Sequence, residues 1–215
     1  MRRVALAAVV LAACAHAPAP APSPIERVAG HEAKRVSLSL TDALGEPVRL
    51  GPGQPRASVV VFMSKASSAE SAELLRKLDE QAVTAPIDQV GVVDVARYSG
   101  FVRRIAERRL RQSLEEGRVK RRRRRLALGL DASQAIVDRW HLIGDFDGAV
   151  LEAFGVQTEP KHPVAFVVDR SGAVSGPYYD LQSLLGAVGA ATGSPASAAH
   201  SGAAARASSV ARSER

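Results

Sequence analysis

Two kinds of apolar pattern predict the strands of this chain. Residues 36–40 alternate between apolar and polar side chains and precede a turn at residues 45–47, which predicts a small β-hairpin. Continuous apolar runs rich in β-branched side chains are typical of strands that are buried on both faces. Such strands are predicted at residues 58–62, 89–95 and 164–168.

Apolar residues that recur every three or four positions predict helices between and after these strands. The first helix begins at Ser67 or Ser68, where a serine can serve as the N-cap, and continues to about Val83. A final helix is predicted over residues 180–191.

A longer helical segment separates the second buried strand from the third. It covers about residues 97–140, with helix ends predicted at Gly117 and Gly129 because glycine commonly terminates helices. The order of strands and helices predicts a single α/β domain over residues 36–191, with this helical segment as an insertion.

The N-terminus has the pattern of a secretion signal. Two arginines precede an apolar stretch at residues 4–13, which is about half as long as the ~20 residues that a membrane-spanning helix needs. The stretch ends in Leu-Ala-Ala-Cys at residues 11–14, which resembles the lipobox of bacterial lipoproteins. This resemblance implies that residues 1–13 are a cleaved signal peptide and that Cys14 is lipidated. The alternative is an ordinary signal peptide with an incidental cysteine.

The lipobox resemblance also implies a location in the bacterial cell envelope. Because Ala15 rather than an acidic residue follows Cys14, the periplasmic side of the outer membrane is favoured over the inner membrane. Residues 14–35 are rich in alanine and proline and predict a semi-rigid tether, and residues 192–215 predict a disordered tail rich in alanine and serine.

Positive charge is concentrated in the helical insertion. The formal net charge of the chain is +7, and residues 103–125 contain twelve Lys or Arg against three Glu. The predicted polyanion-binding residues are Arg118, Lys120, Arg121, Arg122, Arg123, Arg124 and Arg125. Export makes nucleic acid an unfavoured partner and favours anionic lipid or an envelope polyanion. The alternative is a solvated helix with no such partner.

Several motifs resemble the thioredoxin/peroxiredoxin superfamily. Residues 44–50 (LGEPVRL) are similar to its N-terminal hairpin, and residues 162–172 (HPVAFVVDRSG) are similar to its proline-led strand and turn; residues 145–148 and 154–156 lie between them in the order that the family shows. The resemblance covers about residues 36–191. It implies a thioredoxin-like three-layer α/β sandwich, with the basic helical insertion placed before a strand that begins with a cis-proline, Pro163.

The chain departs from this family at the place of the active site. By the register of the resemblance, Ser67 and Glu70 stand where redox-active members have the two cysteines of a C-x-x-C motif. Cys14 is the single cysteine among 215 residues. A serine hydroxyl cannot form a disulfide, so thiol-disulfide exchange and cysteine-based peroxide reduction are excluded at this site.

The candidate ligand or partner face consists of Ser67, Lys65, His162 and Pro163. No catalytic residue, cofactor or metal is predicted, and the histidines show no metal-ligand spacing. The favoured function is a redox-inactive binding or scaffold module with an unknown protein partner. One alternative is an enzyme of the same fold that uses non-thiol chemistry, with Ser67 activated by Lys65 or His162. The other is an electrostatic membrane-surface anchor formed by the arginine-rich helices.

Overall fold

The computed structural model describes residues 34–81 and 87–193. An N-terminal hairpin is formed by β1 (Leu38–Thr41) and β2 (Pro47–Leu50), as the alternating pattern predicts. The remaining strands are β3 (Ala57–Met63), β4 (Ile87–Asp94), β5 (Trp140–Asp145), β6 (Val164–Val168) and β7 (Val174–Tyr178). The helices are α1 (Ser68–Gln81), α2 (Gly100–Ala127), α3 (Gln134–Val137), α4 (Ala149–Phe154) and α5 (Leu181–Thr192).

The five later strands form one mixed sheet in the order β5-β4-β3-β6-β7. Strand β3 is parallel to β4, and β4 is parallel to β5, whereas β6 is antiparallel to both β3 and β7. Helices cover this sheet on both faces. The arrangement is a thioredoxin-like fold, so the predicted fold class is confirmed.

Alternation along β3 divides the interior into two cores. Val60 and Phe62 point into a core that the hairpin and α4 close, and there Phe62 packs between Phe154 and Phe166 with ring centroids 5.2 Å and 5.8 Å away. Val59 and Val61 point into a second core that α1 and α5 close. All four valine and phenylalanine side chains of β3 are buried because both faces of this central strand are covered.

Helix α2 does not end at Gly117, as the sequence predicts, but continues through it to Ala127. The reason is the packing of Trp140 at the start of β5. A Cβ atom at position 117 would lie 1.9 Å from Cζ3 of Trp140, so this position accommodates the indole ring only because it has no side chain. Gly129 follows the end of α2 with φ of +67°, as expected for a helix-terminating glycine.

The predicted cis-proline at the start of β6 is wrong. Within residues 34–81 and 87–193, the cis peptide bond joins Gly176 to Pro177 in β7, and the bond between His162 and Pro163 is trans. A trans bond is the ordinary state for an X-Pro peptide unless the surrounding structure favours the other isomer.

The predicted signal peptide, nearly all of the predicted tether and nearly all of the predicted tail lie outside the described residues, as does Cys14. They stay predictions. Among the residues that are described, no helix combines the length and the apolar character that crossing a membrane requires.

Candidate functional site

A tight turn joins the end of β3 to the start of α1, at the place where the family resemblance puts the redox cysteines. The apolar run of β3 ends at Met63, and Ser67 offers its carbonyl to the N–H of Ser71 at 2.9 Å, which begins the helical hydrogen bonding. Ser64 and Ser67 therefore bracket the turn. Both are buried, and Ser67 is 0% exposed.

The hydroxyls of the two serines are used inside the turn. The N–H of Ser64 donates to Oγ of Ser67 at 3.0 Å, and the Oγ atoms lie 3.4 Å apart. Oγ of Ser64 donates to the carbonyl of Pro160 at 2.8 Å, which links the turn to the loop before β6. The same oxygen accepts from the N–H of Ala66 at 3.1 Å. Ser67 thus supports the turn rather than capping α1 through its hydroxyl.

The other predicted residues of this face have different surroundings. His162 is exposed, and its Nδ1 lies 3.2 Å from Oε2 of Glu70 on α1. Lys65 is exposed, whereas Pro163 is buried. The structure therefore pairs His162 with Glu70, while the hydroxyl of Ser67 is bonded within its own turn. This arrangement does not support activation of Ser67 by His162 or Lys65.

The predicted polyanion-binding residues separate into a buried and an exposed group. Arg118, Arg121 and Arg125 are only 8%, 8% and 6% exposed. Their burial argues against the prediction that these three bind a polyanion, because they lie on the side of α2 that faces the domain. Lys120, Arg122 and Arg123 are exposed, and Arg124 is half-buried.

Two of the buried arginines share one carboxylate on α1. Oδ1 of Asp79 accepts from Nε of Arg121 at 3.0 Å and from Nη1 of Arg125 at 2.8 Å. Burial lowers the pKa of Arg121, and the charge of Asp79 acts in the opposite direction. This pairing ties the C-terminal half of α2 to the C-terminal half of α1.

The third buried arginine joins α2 to the hairpin. Nη2 of Arg118 donates to Oε2 of Glu46 at 2.8 Å and to Oδ2 of Asp42 at 3.4 Å, and Nη1 lies 3.4 Å from Oδ1 of Asp138. Burial acts to lower the pKa of Arg118, but the hydrogen bond with Glu46 and the nearby carboxylates raise it above its usual value.

His141 completes this cluster and creates a grouping that sequence spacing does not reveal. Its Nδ1 lies 3.0 Å from Oδ2 of Asp42, and Asp42, Glu46 and His141 place three potential metal-ligand atoms within 4.8 Å of one another. The guanidinium of Arg118 already contacts both carboxylates. Arg118 therefore compensates part of the negative charge of Asp42 and Glu46 within the fold.

The carboxylates that bind the arginines were not predicted from the sequence. Asp79 is separated from Arg121 by 42 residues, and Glu46 from Arg118 by 72. The sequence does contain one pattern that indicates which arginines face inward. Leu114, Arg118, Arg121 and Arg125 recur at three- and four-residue intervals, which places them on one side of a helix and identifies these arginines as continuing an inward-facing row.

None of the family models and none of the curated proteins compared with the chain matches it. Solved structures do match. The pneumococcal exposed lipoprotein thioredoxin of Streptococcus pneumoniae is 14% identical, covers 71% of this chain and 98% of its own, and has a TM-score of 0.46. A putative thioredoxin of Neisseria meningitidis is 16% identical, with 75% and 91% coverage and a TM-score of 0.47. An uncharacterized conserved protein of Geobacillus kaustophilus is 16% identical, with 76% and 82% coverage and a TM-score of 0.48. The fold assignment rests on the sheet topology described above.

Proposed function

We propose that this protein is a redox-inactive, thioredoxin-like lipoprotein of the cell envelope that acts as a binding or scaffold module. The observation that carries the proposal is the turn between β3 and α1. The resemblance places catalytic thiols at this turn, whereas here Ser67 is fully buried and its oxygen accepts from the backbone of Ser64. Because these hydroxyls have a structural role inside the turn, we infer that the thioredoxin-like fold is retained without thiol chemistry and that its surface binds a partner.

The absence of redox activity is tested with the chain from Ala15 onward, which contains no cysteine. Both cores are built from residues between Val36 and Val188, so this chain retains the whole fold. We expect insulin reduction at the rate of the buffer alone, with a thioredoxin as positive control. Reduction that co-purifies with the folded chain through successive columns would contradict the proposal.

The proposed partner surface is the exposed part of the candidate face around Lys65, Glu70 and His162. A photo-activatable side chain placed at position 162 of the full chain, in its own host, should give a discrete cross-linked adduct. The same side chain at exposed Arg170, in the turn between β6 and β7, is the matched control. Equal cross-linking at both positions would argue against a partner at this face.

The proposed lipid anchor is tested separately, since it depends on Cys14 alone. Metabolic labelling with an acyl-chain analogue should label the protein, and Cys14→Ser should remove the label and release the protein from the membrane fraction. Labelling that persists in Cys14→Ser would overturn the anchor but not the redox-inactive binding module.

A further inference from the structure

The side of α2 that faces away from the sheet has no role in the proposed function. The inward side is defined by Leu114, Arg118, Arg121 and Arg125, which are the buried residues of this helix. Ile105 precedes Leu114 by about two and a half helical turns, and therefore lies on the opposite side of the helix. The outward side is solvent-exposed along the N-terminal half of α2.

Exposed apolar side chains are concentrated on this helix. Seven large apolar side chains in the described part of the chain are exposed, and five of them belong to α2. Phe101, Val102 and Ile105 are 76%, 46% and 37% exposed at its N-terminal end, and Val119 and Leu126 are exposed further along. Phe101 and Val119 lie on the same line of the helix, about five turns apart. Such grouping of exposed apolar side chains is typical of an interaction surface.

Basic side chains surround these apolar ones. The exposed basic residues of α2 outside its buried row include Arg104, Arg108, Arg109, Arg111, Lys120, Arg122 and Arg123. The acidic residues on this outward surface are Glu115 and Glu116, and Glu116 already lies 3.7 Å from Lys120. The outward side of α2 therefore combines apolar side chains with a clear excess of positive charge.

We propose that the outward side of α2 docks on an anionic lipid bilayer, with Phe101, Val102 and Ile105 entering the interface and the exposed arginines contacting the headgroups. Basic side chains mixed with phenylalanine and aliphatic residues are the composition of helices that lie in a membrane interface. Charge complementarity selects this occupant over a second copy of the chain, because two identical faces would bring like charges together.

This proposal is independent of lipidation but compatible with it. With its 28 residues, α2 is about 42 Å long. If Cys14 carries lipid, the lipid and the outward side of α2 would be two separate attachments to one membrane.

The test uses the chain from Ala15 onward and two kinds of vesicle: phosphatidylcholine alone, and phosphatidylcholine with about a third phosphatidylglycerol. Co-sedimentation should detect binding to the anionic vesicles at low salt and its loss as ionic strength rises. The triple variant Lys120→Gln/Arg122→Gln/Arg123→Gln should bind roughly a hundredfold more weakly, at about fivefold for each charge. Its matched control, Arg49→Gln/Lys161→Gln/Arg170→Gln, removes the same charge elsewhere and should have a much smaller effect.

The apolar contribution is tested with Phe101→Ser, for which we expect about a tenfold loss of binding to anionic vesicles. Tyr179→Ser, at another exposed site, is the control. Because the chain from Ala15 onward contains no cysteine, Val102→Cys can carry a polarity-sensitive fluorophore, whose emission should shift to the blue on vesicle binding. The same label at Tyr179→Cys should not respond.

Three results would overturn the proposal. Equal binding to both kinds of vesicle would remove the charge complementarity on which it depends. Binding that is lost in the charge variant but unchanged in Phe101→Ser, with no shift at position 102, would exclude insertion of this face. Self-association without vesicles that Phe101→Ser abolishes would identify a second copy as the occupant. None of these results bears on the redox-inactive binding module.

Discussion

Replacement of Asp79 by asparagine tests whether the buried arginines hold α2 against the domain. Asp79 is 4% exposed, and its Oδ1 atom accepts from both Arg121 and Arg125. Asparagine has nearly the same shape but no charge, so Asp79→Asn would leave two buried guanidinium groups without their shared carboxylate. Removing one partner of a buried ion pair costs about 3–5 kcal/mol.

The free energy of unfolding is measured by urea denaturation, with circular dichroism and the fluorescence of Trp140, the single tryptophan, as the two probes. We expect Asp79→Asn to lower this free energy by about 3–5 kcal/mol. In a separate thermal scan the same loss corresponds to an unfolding temperature lower by about 6–20 °C, since each kcal/mol shifts it by ~2–4 °C in a chain of this size. Glu73→Gln, also on α1 but exposed, is the matched control and should have a far smaller effect. The exposed pair Arg122→Gln/Arg123→Gln should change the free energy by no more than about 0.5 kcal/mol per residue.

A double-mutant cycle then separates the ion pair from the helix itself. If Arg121 depends on Asp79, the loss in Asp79→Asn/Arg121→Gln is smaller than the sum of the two single losses. A loss below about 1 kcal/mol in Asp79→Asn, or strict additivity in the cycle, would refute the conclusion that the shared carboxylate of Asp79 holds the buried arginines of α2 in place.

Three further predictions concern the packing and the turns. Gly117→Ala should destabilise the fold by about 1–3 kcal/mol despite the better helix propensity of alanine, because the new Cβ meets Trp140; an unchanged or higher urea midpoint would contradict this. Ser67→Ala should cost about 1–3 kcal/mol because the buried N–H of Ser64 loses its acceptor, and Ser68→Ala, on an exposed side chain, is the control in the same urea assay. Burial acts to raise the pKa of Asp169, but hydrogen bonds from Ser171 and Ala173 lower it below its usual value. The stabilising effect of ionised Asp169 is therefore present above the unfolded pKa of about 3.9 and is lost as the pH falls through the lower folded pKa. The difference in unfolding free energy between the native chain and Asp169→Asn should narrow below about pH 4. An equal difference at about pH 3 and at about pH 7, measured by urea unfolding, would contradict this.

The sheet was predictable because its central strands carry their own signal. Strands β3 and β6 are continuous apolar runs because both of their faces are covered. Such a run can be recognised in the sequence without knowing which elements cover it. The course of α2 was less predictable. A glycine in the middle of a helical pattern ordinarily indicates a helix end, and only the position of Trp140 explains why the helix continues through Gly117.

The elements around the candidate site were predicted from the sequence, but their contacts were not. The end of β3 and the start of α1 follow from local patterns, so the predicted helix start at Ser67 or Ser68 is confirmed. The bond from Ser64 to Pro160 spans 96 residues, and the pairing of His162 with Glu70 spans 92. Contacts at such separations depend on the packing of the whole sheet. They cannot be predicted from a single sequence when the register between the strands is not known.

The orientation of each arginine at positions 121–125 decides which of them a test of vesicle binding should replace. Five consecutive arginines at positions 121–125 count as five charges in the sequence, but in a helix they point in different directions. Arg121 and Arg125 point inward and share the single carboxylate of Asp79, whereas Arg122 and Arg123 remain exposed. A variant that replaces all five would lose the buried ion pairs and the surface charge together, so weaker vesicle binding could reflect an unfolded domain. Arg122→Gln/Arg123→Gln removes surface charge alone. Loss of vesicle binding in that variant at an unchanged unfolding temperature therefore distinguishes an electrostatic surface from a structural requirement, and loss of both would show that the outward arginines also support the fold.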